Sequence, residues 1–153
     1  MPLLYTYGRL SFDEVRAFLL ETDNEFPTPL STSVNIDAYA KKLSDFSDFA
    51  LCRDGQTIIG MISCYTNRPP MGYISNVCVK KGYQRKGVFR RLFGLLTERI
   101  ADKEIKTLRL EVDNDNPIAL KAYLDSGFLV KEIREGSPKV LMEYRTDTGC
   151  PHC

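Results

Sequence analysis

The 153-residue sequence predicts an α/β (α+β) domain with a mixed, mostly antiparallel sheet of about seven strands and four helices on its two faces. Short apolar or alternating runs bounded by turn residues indicate strands, and longer segments with apolar residues every three or four positions indicate helices. These segments follow in the order β-α-α-β-β-β-α-β-α-β-β. An antiparallel start followed by β-α-β crossovers implies a mixed sheet that helices cover on both faces.

The N-terminal part of the chain predicts one strand and two helices. The strand covers residues 3–7. Ser11 and Glu14 have the spacing of a capping box, so the first helix begins after Ser11. Prolines and hydroxyl side chains in residues 22–34 indicate a loop, and a second helix follows Asn35. The apolar stripe of that second helix is formed by Ile36, Tyr39, Ala40 and Leu43.

A hairpin follows the second helix. Residues 48–53 form one arm and residues 56–66 the other, with Asp54 and Gly55 as the tight turn between them. Gly60 inside the second arm is predicted to mark a bulge.

The second half of the chain alternates between strands and helices. Asn116 and the proline after it have the pattern of a helix start, and Gly127 closes the same helix. The predicted elements are a loop over 67–71, a strand over 72–79, a basic loop over 80–86, a helix over 87–101, a strand over 107–113, a helix after 116, and a last hairpin of residues 128–134 and 139–145.

Composition limits the class of protein. The chain is 43% hydrophobic and 27% charged, which is typical of a globular protein. It has 21 Lys and Arg against 20 Asp and Glu, so its net charge gives no general attraction to nucleic acid or anionic lipid. The sequence contains no leader pattern and no apolar run of membrane-spanning length. We therefore expect a cytoplasmic protein with one domain over 1–146 and a flexible C-terminal tail over 147–153.

Five cysteines fall into two groups. Cys52, Cys64 and Cys78 lie in predicted strands, where a free thiol behaves as a small buried apolar group. Cys150 and Cys153 belong to the terminal Cys-Pro-His-Cys, whose spacing is that of a redox motif but which no helix can follow. Because the chain has one histidine, we predict no metal site.

The segment from 74 to 91 carries the chemical signal. A strand delivers a glycine-containing loop to the start of a helix, where unpaired backbone N–H groups and the helix dipole suit a phosphate. The alternative is a solvated basic surface, and spacing alone leaves both open. The basic residues of this segment are Lys80, Lys81, Arg85, Lys86, Arg90 and Arg91.

This segment resembles motif A of the GCN5-related N-acetyltransferases, the GNAT family. The motif is a strand followed by Gln/Arg-x-x-Gly-x-Gly/Ala. Here Phe89 replaces the small last residue, so its side chain must point away from the phosphates. The matching residues are Val77, Cys78 and Val79 for the strand and Gln84, Arg85, Lys86, Gly87, Val88 and Phe89 for the loop.

A second segment resembles motif B of the same family, through Asn116, Ala119, Tyr123, Gly127 and Phe128. The family's order of strands and helices covers residues 3–145. The resemblance therefore implies the GNAT fold and an acetyl-CoA-dependent N-acetyltransferase, in which a primary amine attacks the thioester directly in a ternary complex.

The resemblance also implies roles for individual residues. The main chains of Val77 and Val79, around Cys78, would pair with the pantetheine amides. The loop N–H groups from Arg85 to Arg90 would hold the pyrophosphate. Asn116 would bond the coenzyme arm near its thiol end. Tyr123 would be the general acid that protonates the departing thiolate.

The sequence leaves the general base and the acceptor open. Glu111 and Asp113 are candidate bases, and each has the alternative of being only a surface charge. The loops over 22–34 and 67–71 and the second helix are expected to select the acceptor, for which a small amine or an amino sugar is the hypothesis. A coenzyme-binding module without turnover and a nucleic-acid-binding domain remain as alternatives, and the protein is expected to be a monomer or a homodimer.

Overall fold

The computed structural model describes residues 2–26, 29–133 and 135–146. The predicted tail, with Cys150, His152 and Cys153, lies outside these residues. The helices are α1 (Phe12–Thr22), α2 (Ile36–Phe46), α3 (Val88–Ile100) and α4 (Pro117–Asp125). The strands are β1 (Leu3–Gly8), β2 (Ser47–Asp54), β3 (Thr57–Arg68), β4 (Met71–Val79), β5 (Thr107–Asp113), β6 (Leu129–Ile133) and β7 (Lys139–Arg145).

The seven strands form one sheet in the order β1-β2-β3-β4-β5-β7-β6. All neighbours are antiparallel except β4 and β5, which are parallel and are connected through α3. The predicted fold class, a mixed and mostly antiparallel sheet of seven strands with four helices, is confirmed.

The helices lie on two faces of the sheet, and each face has its own core. Phe49 and Leu51 of β2 pack with α1 and α2, whereas Ala50 and Cys52 of the same strand pack with α3. The strand is therefore buried on both faces, as its continuous apolar sequence requires. Within the described part of the chain, no helix is both long and apolar enough to span a membrane.

The helix starts follow the signals in the sequence. Ser11 and Glu14 form the complete capping box of α1. The side chain of Asn35 accepts from the Ala38 N–H at 2.9 Å and caps α2. Because an N-cap side chain satisfies a backbone donor that has no partner in the helix, these residues fix where the helices begin.

The hairpin turn between β2 and β3 lies one residue later than predicted. β2 continues through Asp54, which pairs with Thr57, so the loop residues are Gly55 and Gln56. Gly55 has φ +64, a left-handed conformation that glycine adopts without strain. A register irregularity leaves Ile59 without a partner on β2, next to the predicted bulge at Gly60.

Two other predicted boundaries were wrong. The loop expected over 67–71 is only a turn at Pro69 and Pro70, because Arg68 still pairs with Met71. Prolines cannot donate to the ladder, but their neighbours can remain in it. Phe128 lies just before β6 as a fully buried side chain and is not part of the strand.

The three cysteines in the strands are free and buried, as predicted. Burial raises the pKa of the Cys64 and Cys78 thiols to about 12. Both thiols therefore stay protonated at neutral pH and act as packing groups.

Candidate active site

A cleft opens in the sheet between β4 and β5. The last backbone pair that joins these two strands is Tyr73 with Arg109. Beyond it, β4 continues along β3 and β5 continues along β7, so the described strands share no further pair. The sheet is therefore split toward the C-terminal ends of β4 and β5, where an extended ligand can lie between them.

The main chain of β4 turns polar groups into this cleft. The Lys80 N–H donates to the Ile59 carbonyl at 2.8 Å, so this pair of the β3–β4 ladder is a hydrogen-bonded one. Hydrogen-bonded and non-hydrogen-bonded pairs alternate in an antiparallel ladder. Val77 and Val79 consequently direct their N–H and C=O groups away from β3 and toward the cleft. The sequence motif assigned the same two residues to the coenzyme arm.

A bulge at Ser75 interrupts β4 at the middle of the strand. Ser63 pairs with Asn76 and Cys64 pairs with Ile74, which leaves Ser75 without a partner on β3. The hydroxyl of Tyr39, on α2, donates to the Ser75 carbonyl at 3.1 Å and also contacts the Ser75 hydroxyl. Thus α2 is linked directly to the bulge that borders the cleft.

The N-terminus of α3 lies at the C-terminal end of β4. Gly87 is the N-cap, with φ +80, and has no side chain to cap the helix. The first helical bond runs from the Arg91 N–H to the Gly87 carbonyl at 3.1 Å. The N–H groups of Val88, Phe89 and Arg90 therefore have no partner within the helix. A Cβ placed on Gly87 would meet nothing within 4 Å, so this end of the helix is open.

Side chains hold the loop before α3 in place. The Gln84 side-chain amide donates to the Val79 carbonyl at 2.9 Å, and the Tyr83 hydroxyl donates to Asp54 at 2.5 Å. Arg85 has φ 63, in the left-handed region, which curls the chain before Gly87. The Gln84 side chain of the motif thus stabilises the loop. The donors that remain unpaired near it are the main-chain N–H groups at the start of α3.

Only part of the basic segment faces the loop. The Lys80 ammonium is paired with Glu21 at 2.7 Å, and the Arg91 guanidinium lies 4.8 Å from the centre of the Tyr5 ring. These two cations are engaged away from the helix N-terminus. The exposed side chains that remain around the loop are those of Lys81, Arg85, Lys86 and Arg90.

Phe89 points into the protein. Its ring stacks on Phe93, with centroids 6.0 Å apart, and meets the Tyr123 ring edge-on at 5.8 Å. This larger residue of motif A therefore leaves the helix N-terminus accessible and connects α3 to α4.

Tyr123 lies on α4 within the same aromatic group, with the Phe128 ring 5.7 Å away. Burial raises the pKa of the Tyr123 phenol, and the nearby Cys78 side chain on β4 raises it further. The phenol therefore stays protonated at neutral pH. Among the described residues, none forms a hydrogen bond with its hydroxyl, so this group can donate to a ligand beside β4.

Asn116 has a structural role at the start of α4. Its side-chain oxygen accepts from the Ala119 N–H at 3.2 Å, which caps the helix. The oxygen is thus committed to the helix, and the amide nitrogen is the part that can serve a ligand.

The two candidate bases differ in their surroundings, although both lie on the same face of β5. Glu111 accepts a hydrogen bond from the Tyr73 hydroxyl at 3.3 Å, next to the root of the cleft. Asp113 forms an ion pair with Lys139 at 3.0 Å. Arg109, the preceding residue of this face, pairs with Glu143 at 2.8 Å.

Two tyrosines beside the cleft have contacts that the sequence did not indicate. Sequence analysis placed Tyr39 in the helix expected to help select the acceptor, and it found in Tyr73 no obvious base. A buried tyrosine hydroxyl needs a hydrogen-bond partner, which is the one signal that could have singled them out.

The structure is an α/β fold whose sheet splits between β4 and β5, next to the open N-terminus of α3. The chain belongs to the acetyltransferase (GNAT) family, whose model matches residues 13–128.

One curated relative is the GCN5-related N-acetyltransferase 4, chloroplastic, of Arabidopsis thaliana, which is 33% identical over 70 residues. The aligned region covers 46% of this chain and 24% of the relative, so the chain spans about a quarter of that protein.

Solved structures show the same fold. The ribosomal-protein-S18-alanine N-acetyltransferase of Escherichia coli has a TM-score of 0.75 at 18% identity and covers 98% of this chain and 99% of its own. The PaiA N-acetyltransferase of Thermoplasma acidophilum, in complex with coenzyme A, has a TM-score of 0.73 at 15% identity, with 95% and 99% covered.

Proposed function

We propose that this protein is an acetyl-CoA-dependent N-acetyltransferase that transfers the acetyl group to a primary amine by direct attack in a ternary complex. One observation carries the proposal: the part of β4 that has no partner on β5 leads along the chain directly to the open N-terminus of α3. The names of the Arabidopsis and E. coli relatives, and the coenzyme A bound to the Thermoplasma structure, support this assignment.

The residues present fit the coenzyme. On either side of Cys78, Val77 offers its N–H and C=O groups and Val79 its N–H group to an extended chain with amide bonds, because the Val79 carbonyl is held by Gln84. The N–H groups at the start of α3 suit a diphosphate, because the helix dipole adds partial positive charge there. Arg85, Lys86 and Arg90 are exposed around the same point and contribute full charges.

The chain's own groups supply the proton transfers and the orientation. Acetyl-CoA, when bound, supplies the acetyl group as a thioester. The Val77 N–H faces the cleft and is the donor proposed to stabilise the negative charge that develops on the thioester oxygen. Tyr123 is the proposed donor of the proton that the departing thiolate takes up, and its raised pKa keeps the phenol protonated until that thiolate forms.

Glu111 is the better candidate for the base, because Asp113 is already held by Lys139. A lysine-like ammonium has a pKa near 10.4, so it must lose a proton before it attacks. As the C–N bond forms and the C–S bond breaks, the ammonium loses two protons. We propose that both leave through Glu111 to solvent, and that the Tyr123 phenolate takes one proton back from solvent after giving its own to the thiolate.

The test is thiol release from acetyl-CoA with a panel of small amines and amino sugars. The proposal predicts turnover that depends on both acetyl-CoA and an amine. Coenzyme binding without thiol release from any amine would overturn it in favour of a binding module. Tight binding to a nucleic-acid duplex that weakens steeply between two salt concentrations would instead support the nucleic-acid alternative.

A further inference from the structure

Tyr73 and Glu111 face each other across the point where the sheet divides. Tyr73 belongs to the last pair between β4 and β5, and Glu111 is two residues beyond the partner of that pair, on the same face of β5. The Tyr73 hydroxyl donates to Glu111 Oε1 at 3.3 Å. This bond is a side-chain link between two strands whose main chains have just separated.

The main chain alone does not fix Glu111 relative to β4. Among the described strands, β7 is the one that pairs with β5 beyond Arg109, and the residue opposite Glu111 there is Leu141. The main chain therefore does not fix the distance between Glu111 and a group on β4, or on a ligand along β4. A side chain that connects β4 to Glu111 can fix it. Tyr73 makes this connection.

The Tyr73 ring is itself well supported. Tyr65 lies directly opposite it on β3, where cross-strand side chains are in contact distance. The Tyr39 phenol is close enough for Tyr65 and Tyr73 both to contribute to its raised pKa, after the larger effect of burial. Tyr39 is anchored in turn to the Ser75 bulge. Tyr73 thus lies in a group of three tyrosines that adjoins the bulge in β4.

We infer that Tyr73 is a positioning residue: its phenol holds the Glu111 carboxylate at the root of the cleft, where Glu111 takes the proton from the incoming amine. The inference rests on the proposed N-acetyltransferase function. Tyr73 does not touch the reacting atoms, and it acts only through Glu111. A bond of 3.3 Å is long for two oxygens, so the expected effect is moderate.

The experiment is a double-mutant cycle of Tyr73→Phe and Glu111→Gln, with Tyr65→Phe as the matched control. Tyr65→Phe removes a phenol directly beside Tyr73 that has no bond to Glu111. Steady-state rates with the best amine of the panel, the KM for acetyl-CoA and the melting temperature are measured for each protein. Tyr73→Phe should lower kcat about 3- to 10-fold with the KM for acetyl-CoA unchanged.

The decisive comparison is in the Glu111→Gln background. Adding Tyr73→Phe there should cost less than about 2-fold, because the group that the phenol positions is no longer a base. Equal losses in both backgrounds, or a loss that Tyr65→Phe reproduces, would overturn the inference and leave the proposed function intact. An active enzyme insensitive to Glu111→Gln would overturn it too. A protein that binds acetyl-CoA but releases no thiol with any amine of the panel overturns the proposed function itself.

Discussion

The Phe89 ring meets the Tyr123 ring edge-on, with centroids 5.8 Å apart and planes inclined by 70°. Phe89 is the second residue of α3, two positions after the N-cap Gly87, and Tyr123 is the proposed proton donor on α4. One contact thus joins the proposed phosphate-binding helix to the proposed acid. Edge-to-face aromatic pairs contribute about 0.5–1.5 kcal/mol beyond the burial of their area.

Replacing Phe89 should therefore affect stability and catalysis together. Phe89→Ala removes the contacts with Phe93 and Tyr123, and because the ring is only partly buried we expect a loss of about 1–3 kcal/mol, below the usual cost for a fully buried phenylalanine. Turnover should fall several-fold because Tyr123 loses the ring that orients it. Urea unfolding and kcat measure the two effects. Phe89→Leu, which keeps much of the volume, should recover most of the stability, and an Ala variant as stable and active as wild type would contradict the role.

Gly87 tests the phosphate site. Acetyl-CoA at a hundredfold over its Kd should add about 2.7 kcal/mol of stability and raise the Tm of wild type by roughly 5–10 °C. Gly87→Glu places a negative charge beside the unpaired N–H groups, so most of that shift should vanish. Differential scanning fluorimetry with and without acetyl-CoA measures it.

The control for Gly87→Glu is Gly136→Glu in the β6–β7 turn. Both glycines have a left-handed φ, +80 and +76, and a Cβ at either would meet nothing within 4 Å. The two variants therefore carry similar backbone strain, and only one lies at the helix N-terminus. A folded Gly87→Glu protein with the full shift would place the phosphates elsewhere.

Most of the fold could be predicted because its signals are local. Asn35 and Asn116 each cap a helix that starts directly after them, and the alternation of 107–113 matches β5 without a change of boundary. The hairpin turn at Gly55 was placed one residue early, because the pairing of Asp54 with Thr57 depends on the partner strand and not on the turn residues.

The site could be predicted only in part, because several of its contacts join residues that are far apart in the sequence. The main-chain donors follow from a strand, a glycine and a helix in sequence. The bulge at Ser75 has no local signal, and the Tyr39 hydroxyl reaches it from 36 positions away. Glu111 and Asp113 occupy equivalent positions in the alternation of the strand, and contacts with Tyr73 and Lys139, which come from other strands, distinguish them.

Asp48 makes stability depend on acid pH. The carboxylate accepts from Tyr7 at 2.8 Å and Thr66 at 3.1 Å, and it pairs with Lys103 at 3.0 Å. Burial alone would raise the pKa of Asp48, but Lys103, Tyr7 and Thr66 together lower it below the usual value. Its contribution to stability is therefore complete above the unfolded pKa of about 3.9, and it is lost as pH falls through the lower folded pKa.

The variant Asp48→Asn measures this contribution. Near pH 7 it should be less stable than wild type by about 2 kcal/mol, because charged hydrogen bonds are replaced by neutral ones. Below pH 4 the difference between the two proteins should shrink as Asp48 becomes protonated. Urea titrations from pH 7 to pH 2.5 give the comparison, and a difference that stays constant over this range would assign the stabilisation to other groups.

Tyr123 offers the most direct test of the chemistry. Tyr123→Phe keeps the ring and its contacts with Phe89 and Phe128, and removes only the hydroxyl, which forms no hydrogen bond with any described residue. Stability and acetyl-CoA affinity should therefore change little, whereas kcat should fall about 10²- to 10⁴-fold, the usual range for a general acid.

Tyr144→Phe is the matched control, because Tyr144 belongs to the same aromatic group through Phe93 and Phe128 but has no proposed role in catalysis. The two variants separate chemistry from packing: loss of kcat in Tyr123→Phe alone identifies the acid, and similar small losses in both make Tyr123 a packing residue. A fall of less than tenfold in Tyr123→Phe would remove its phenol from the mechanism and leave water as the proton source, since a thiolate is a good leaving group even without a strong acid.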